Sequence, residues 1–167
     1  MPTAHLIHGY LGAGKTTLAH RLEREFAAVR FSHDEWMSRL YGDDPPLDGF
    51  AEGAARVRQL MHPIWTRCIT LGVDVILDFG FWARRERDQA RSELFHLGAA
   101  CRLYRLEAPD DVAWDRIMRR NADLRGSLFI ARETFDVLKS RFEPLGADEA
   151  RIEVPSSWKD DPWTPRP

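Results

Sequence analysis

Short runs in which nearly every position is apolar alternate along the chain with longer stretches in which apolar residues recur every three or four positions. Thr3–His8 reads as a buried strand, and Lys15–Phe26, with Leu18, Leu22 and Phe26 in register, as a helix. Residues 28–32 predict a second strand and 34–41 a short helix, ended by Gly42-Asp43-Asp44-Pro45-Pro46. Residues 50–71 predict a long helix with Val57, Leu60, Ile64 and Cys68 on its buried face, kinked at Pro63 and capped by Gly72. Residues 73–77 predict a third strand and 84–97 a helix through Ala90, Leu94 and Leu97. A fourth strand follows at 99–106. Pro109 opens a helix that carries Val112, Ile117 and Met118 inward to about Asn121. A helix at 132–142 and a last strand at 151–154 complete the series.

Strands that are apolar throughout, alternating with helices, predict a parallel sheet covered on both faces. A length of 167 residues suits a single domain of five strands, residues 1–167, with a small lid at about 121–131. The tail at about 155–167, with Pro162, Pro165 and Pro167, is too rich in proline to continue the core, so it is expected on the surface, pinned by Trp158 or Trp163.

Composition narrows the possibilities. The chain is 44% hydrophobic and 30% charged, which is the balance of a globular domain rather than a disordered one. Its apolar runs fall far short of the roughly 20 residues that span a bilayer, and the N-terminus lacks a signal-peptide pattern, so the expected address is cytoplasmic, with no membrane partner. A net charge of −2 argues against a nucleic-acid partner. Cys68 and Cys101 match neither a metal nor a redox spacing and are expected to be buried thiols. Lys15, Lys139 and Lys159 are the only lysines, which makes the position of Lys15 conspicuous. The sequence sets no oligomeric state.

That position is the end of Gly9-Tyr10-Leu11-Gly12-Ala13-Gly14-Lys15-Thr16, which fits G-x-x-x-x-G-K-[ST] and sits between a predicted strand and a predicted helix. In such a phosphate-binding loop, Gly9, Gly12, Ala13 and Gly14 let backbone N–H groups turn toward phosphate, and the helix N-terminus through Thr16 and Thr17 adds partial positive charge. Lys15 reaches the β- and γ-phosphates, and Thr16 ligates Mg2+. The expected cofactors are therefore ATP and Mg2+.

Three further features point to phosphoryl transfer. Asp34 follows the second strand, where it is placed to accept the proton of an attacking hydroxyl; Ser32 or Asp34 also suits the N-cap of the next helix. Asp78 ends the third strand, the usual place for a carboxylate that helps hold Mg2+. Phe79 occupies the next position, where motor ATPases carry a second acid that activates water, which argues against hydrolysis as the main reaction. Arg116 and Arg120 are four residues apart and share a helix face, with Arg125 beyond them beside Gly126; an arginine cluster of this kind clamps phosphate, although a solvated face fits the same spacing. Trp36, Met37, Phe79, Phe81 and Trp82 are expected to line an acceptor side of the cleft, with Arg84 or Arg85 meeting a polar or anionic group.

With these residues in place the sequence resembles the nucleoside-monophosphate-kinase-like branch of P-loop proteins, and specifically the AAA_33-type family of kinases related to zeta toxin, chloramphenicol phosphotransferase and gluconate kinase. The likeness extends to about Val154 and rests on the Lys15-Thr16 loop, His33-Asp34, the 77–82 segment with Arg84 and Arg87 behind it, and residues 116–121. It implies a three-layer α/β P-loop NTPase fold with a parallel sheet ordered 2-3-1-4-5. It also implies that Asp34 is the general base, that Arg116 packs on adenine, and that Arg120 with a lid arginine such as Arg125 contacts the transferring phosphate.

The reading that follows is an ATP-dependent kinase acting on a hydroxyl of a small molecule such as an antibiotic, sugar or nucleoside, with Asp34, Trp36, Phe81, Trp82 and Arg84 on the substrate side. Two rivals stand beside it. One is a polynucleotide 5′-hydroxyl kinase, which needs a basic, aromatic-lined groove; the other is a nucleotide-dependent binding switch without phosphotransfer.

Overall fold

The structure, a computed structural model, describes residues 1–46, 48–124, 127–155 and 158. They form strands β1 (Thr3–His8), β2 (Val29–Ser32), β3 (Val75–Gly80), β4 (Ala100–Arg105) and β5 (Ile152–Glu153). The helices are α1 (Lys15–Phe26), α2 (His33–Tyr41), α3 (Phe50–Thr70), α4 (Arg84–His96), α5 (Asp110–Asn121) and α6 (Arg132–Lys139). The strand pairs are parallel and run β2-β3-β1-β4-β5, the order that the resemblance implies.

Because side chains alternate along a strand, each strand feeds two cores. Ala4, Leu6, Val75, Leu77 and Leu103 face α3 and α4, where they pack with Val57, Met61, Ile69 and Leu94. Ile7, Ile76 and Tyr104 face α1, where they meet Leu18, Ala19 and Leu22. A third cluster of Leu11, Ala113, Ile117, Ile130 and Phe135 binds α5 and α6 to the loop after β1. Trp158 packs against the α1 side, and its carbonyl accepts from Arg21 at 3.0 Å. Trp163 lies outside the described residues, as does most of the expected tail.

Three sequence expectations need correction. The buried face of α3 is Gly53, Ala54, Val57, Met61, Trp65 and Ile69, whereas Leu60 and Ile64 are exposed. On α5 the inward residues are Ala113 and Ile117; Val112 and Met118 face solvent. Cys68 and Cys101 are only half-buried. The α3 helix continues through Pro63 and ends on a Schellman motif: Gly72, at φ +81°, donates to Ile69 and Val73 donates to Cys68.

Beneath α1, His5 is fully buried, with its Nδ1 2.9 Å from the Tyr104 hydroxyl and its ring 4.5 Å from that of Phe26. Desolvation lowers its pKa from 6.5 to about 4, and desolvation likewise lowers that of His8. Between pH 6.5 and 4 the unfolded chain therefore binds more protons than the folded one. Stability contributed by neutral His5 is complete above pH 6.5 and is lost as the pH falls to about 4, by roughly 3 kcal/mol. Denaturant unfolding across this window is expected to show that decline, and His5→Gln to flatten it.

Candidate active site

The loop between β1 and α1 is shaped by close approaches. Gly12 (φ +74°) and Gly14 (φ +102°) take left-handed backbone conformations, which glycine adopts without strain. A Cβ on Gly12 would be driven into the Ala113 carbonyl of α5, and one on Gly9 would meet the Leu106 carbonyl at 3.0 Å. No side chain caps the start of α1, so its first turn is left open to an anion. Lys15 folds back over the loop and donates to the Tyr10 carbonyl at 3.0 Å. Arg116 braces the loop from α5, donating to the carbonyls of Gly12 at 3.2 Å and Ala13 at 3.5 Å.

The sheet register delivers the acids. Ser32 pairs with Asp78 across β2 and β3, which puts Asp34, two residues further on, at the same carboxyl edge as Asp78. Ser32 caps α2 by accepting from the Glu35 N–H at 3.4 Å, so Asp34 is free of the capping role. Asp78 is buried, and its Oδ2 has no hydrogen-bond partner among the described residues. Burial raises its pKa, the Asp34 charge adds to this, and Lys15 and Thr16 oppose it. Desolvation lowers the Lys15 pKa against the pull of Asp78 and Asp34. Asp34 stays open to the cleft, with 58% of its side chain exposed and His33 Nδ1 3.7 Å from its Oδ1. Desolvation opposes its ionisation, but His33, Lys15 and Arg120 prevail and hold its carboxyl below the usual range. The same mutual influence shows that Lys15, Asp34, Asp78 and Arg120 face one another. Burial in turn lowers the Arg120 pKa, with Asp34 opposing.

These groups open onto one cleft of about 740 Å³, lined by Gly12, Gly14, Lys15, Thr16, Thr17, Asp34, Asp78, Arg116 and Arg120 from the sequence-predicted set, with Trp82 and Phe79 beside them. Trp82 Nε1 donates to the Gly9 carbonyl at 3.0 Å, so its indole also steadies the phosphate loop. The remaining acceptor-side expectations fail. Phe81 (6% exposed) and Met37 (1%) belong to the core, and Trp36 packs against that core rather than lining the cleft. Arg84 is held at the surface by Asp148, at 2.6 Å, and Asp88. Arg125 lies outside the described residues. The sequence reading missed Phe50, Ala54 and Arg58, which line the cleft from α3, along with Glu86 and Arg141. The spacing of Phe50, Ala54 and Arg58, four apart on a helix, was the signal available for the first three.

Behind the cleft an unforeseen ion pair fixes its floor. Arg87 and Glu149 side chains are 0% and 1% exposed and meet at 2.8 and 2.9 Å. Arg87 also donates to the carbonyls of Phe81, Trp82, Glu143 and Pro144, which ties the turn after β3 to the segment after α6. The Arg87 guanidinium holds the Glu149 carboxyl far below the usual range, against the penalty of burial. On the other wall, Asn121 clasps Ile130 with both amide atoms, at 2.8 and 3.2 Å, and so closes the 121–131 segment at its base.

A parallel 2-3-1-4-5 sheet with a glycine-rich phosphate loop between β1 and α1 defines a P-loop NTPase-like protein. The AAA domain model matches residues 5–145, and the chain belongs to that family. Solved structures share its fold at low identity. A proposed kinase from Chloroflexus aurantiacus J-10-fl superposes with a TM-score of 0.73 at 18% identity, covering 92% of this chain and 87% of its own. Kti12 from Chaetomium thermophilum, in complex with ADP-AlF3, gives 0.70 at 18%, with coverages of 95% and 90%. A sugar kinase from Janibacter sp. HTCC2649 gives 0.64 at 20%, with coverages of 96% and 95%. No curated protein matches the chain by sequence. Among the described residues, no helix is long and apolar enough to cross a membrane.

Removing one partner of the Arg87–Glu149 pair leaves a buried charge uncompensated, which costs about 3–5 kcal/mol. Arg87→Met is expected to lose that much in denaturant unfolding, and Arg87→Met combined with Glu149→Gln to lose markedly less.

Proposed function

We propose that the protein is an ATP-dependent phosphotransferase that moves the γ-phosphoryl group of ATP to a hydroxyl of a small molecule. The observation that carries this reading is the placement of Asp34 in the same cleft as Lys15, Asp78 and Arg120, ionised and open to a ligand. A nucleotide switch has no use for an exposed carboxylate at that point. Support also comes from the fold, shared with a sugar kinase and with a protein captured with ADP-AlF3.

In this reading the phosphates lie on the Gly9–Thr16 loop, with Lys15 and Arg120 neutralising their charge and the unbraced first turn of α1 supplying N–H donors. The acceptor oxygen attacks the γ-phosphorus, a new P–O bond forms, the bond to the β-phosphate oxygen breaks, and ADP leaves. Asp34 takes the hydroxyl proton. The unpartnered buried Oδ2 of Asp78, beside Thr16, fits a role in holding Mg2+. When bound, that ion neutralises phosphate charge. The side chain after Asp78 is Phe79, which cannot activate water, so transfer to an alcohol is favoured over hydrolysis.

ATP turnover against a panel of antibiotics, sugars, sugar acids, nucleosides and a 5′-hydroxyl oligonucleotide, read as phosphorylated product, tests this directly. Asp34→Ala is expected to lower kcat by 10²–10⁴-fold while leaving ATP affinity nearly unchanged. Full transfer activity in Asp34→Ala would remove Asp34 as the base, and product from the oligonucleotide alone would move the acceptor class to nucleic acid.

A further inference from the structure

Most arginines of this chain that touch an acid do so in plain ion pairs: Arg30 with Glu35, Arg56 with Glu52, Arg84 with Asp148, Arg105 with Glu153 and Arg132 with Asp136. Inside the cleft, Lys15, Arg116 and Arg120 each donate to a backbone carbonyl at or near the phosphate-binding end. Arg58 does neither. It lines the cleft from α3, and among the described residues no hydrogen bond or ion pair engages its guanidinium. Its helix offers no compensation. Residues 54, 55, 61 and 62, the neighbours at three and four positions, are Ala, Ala, Met and His, and His62 is engaged with Glu93 at 2.5 Å. On the same helix, Arg56 has Glu52 four residues away.

Its distance from the reacting end is set by one contact. His33, the neighbour of Asp34, meets the Ala54 carbonyl through Nε2 at 3.2 Å, which docks the start of α2 on the α3 turn that contains Ala54. Arg58 follows Ala54 by one turn on the same face, about 6 Å along the axis. Phe50 precedes Ala54 by one turn and lines the same cleft, opposite Phe79 and Glu86. The wall facing Asp34 is thus an apolar strip, Phe50 and Ala54, ending in an uncompensated cation.

Resting on the phosphotransferase reading above, we propose that the acceptor carries an anionic group, a carboxylate or a phosphate, and that Arg58 binds it while the hydroxyl to be phosphorylated faces Asp34. An arginine with a free planar fork suits a bidentate anion, and charge-assisted hydrogen bonds of this kind discriminate strongly against a neutral analogue. Arg84, named from the sequence for such a role, is occupied by Asp148 and Asp88.

The test uses acceptors in matched pairs: sugar acids against the sugar alcohols of equal chain length, and sugar phosphates against the free sugars. The full chain is assayed for product with wild type, Arg58→Ala, Arg58→Lys and, as an exposed control on the same helix, Arg67→Ala. In parallel, calorimetry measures binding of the acids and sugar phosphates without ATP. Wild type is expected to favour the charged member of its best pair by at least about 10-fold in kcat/KM. Arg58→Ala should lower kcat/KM for that member by about 10–100-fold, mainly through KM, and collapse the charged-to-neutral ratio toward one. Arg58→Lys should recover part of it, and Arg67→Ala should match wild type. The carboxylate and phosphate pairs tell the two anions apart. Equal use of both members, an unchanged ratio in Arg58→Ala, or no Arg58-dependent binding of any charged compound would overturn the proposal. Failure of the broader reading looks different: anions bind through Arg58 while no acceptor of either kind is phosphorylated.

Discussion

Lys15 is a cation placed where water is scarce, and the architecture around it is arranged so that two carboxylates keep it company. Desolvation pulls its proton off; Asp78 and Asp34 hold it on. Neither acid is near Lys15 in sequence. Both arrive because β3 lies between β1 and β2, so that the strand ends carrying Ser32, Asp78 and the phosphate loop finish at one edge of the sheet. The buried core of parallel strands is, in this sense, the device that brings three distant charges to one point. The site stays balanced only while all of them are present, since Asp78 alone would be a buried acid driven toward its neutral form.

Much of this was legible in the chain. Strand and helix spans follow directly from apolar runs and helical spacing, and β1, α1 and the loop between them coincide with the reading of Thr3–His8, Lys15–Phe26 and Gly9–Thr16. The buried face of α3 was misread because the helix carries two neighbouring apolar stripes. Leu60 and Ile64 belong to the outer one, and the inner one is marked by small residues, Gly53 and Ala54, that hydrophobicity alone undervalues. The placement of Phe81 failed for a different reason. Alternation along β3 and the turn after it, where Phe81 takes φ +46°, send that ring into the core while Phe79 and Trp82 line the cleft.

The Arg87–Glu149 pair was beyond the reach of any local pattern. An arginine inside Arg84-Arg85-Glu86-Arg87-Asp88 reads as one of many solvated charges, and its partner stands 62 residues later. Only the packing of the segment after α6 against the turn after β3 makes one member of that cluster a buried strut. The same holds for Arg58, whose meaning comes from what it lacks, an acidic neighbour on its own helix.

The two long walls of the cleft differ in what they are fastened to. Trp82 is hydrogen-bonded to Gly9, and the backbone around it to Arg87, so any change of shape on that side is transmitted to the cradle that receives the polyphosphate. The α3 wall has no such attachment: Phe50, Ala54 and Arg58 meet the catalytic edge only through the His33 contact. Retuning of which compound is accepted, in the laboratory or in the history of the fold, therefore has an independent dial on α3, where side chains can be exchanged without disturbing the nucleotide end.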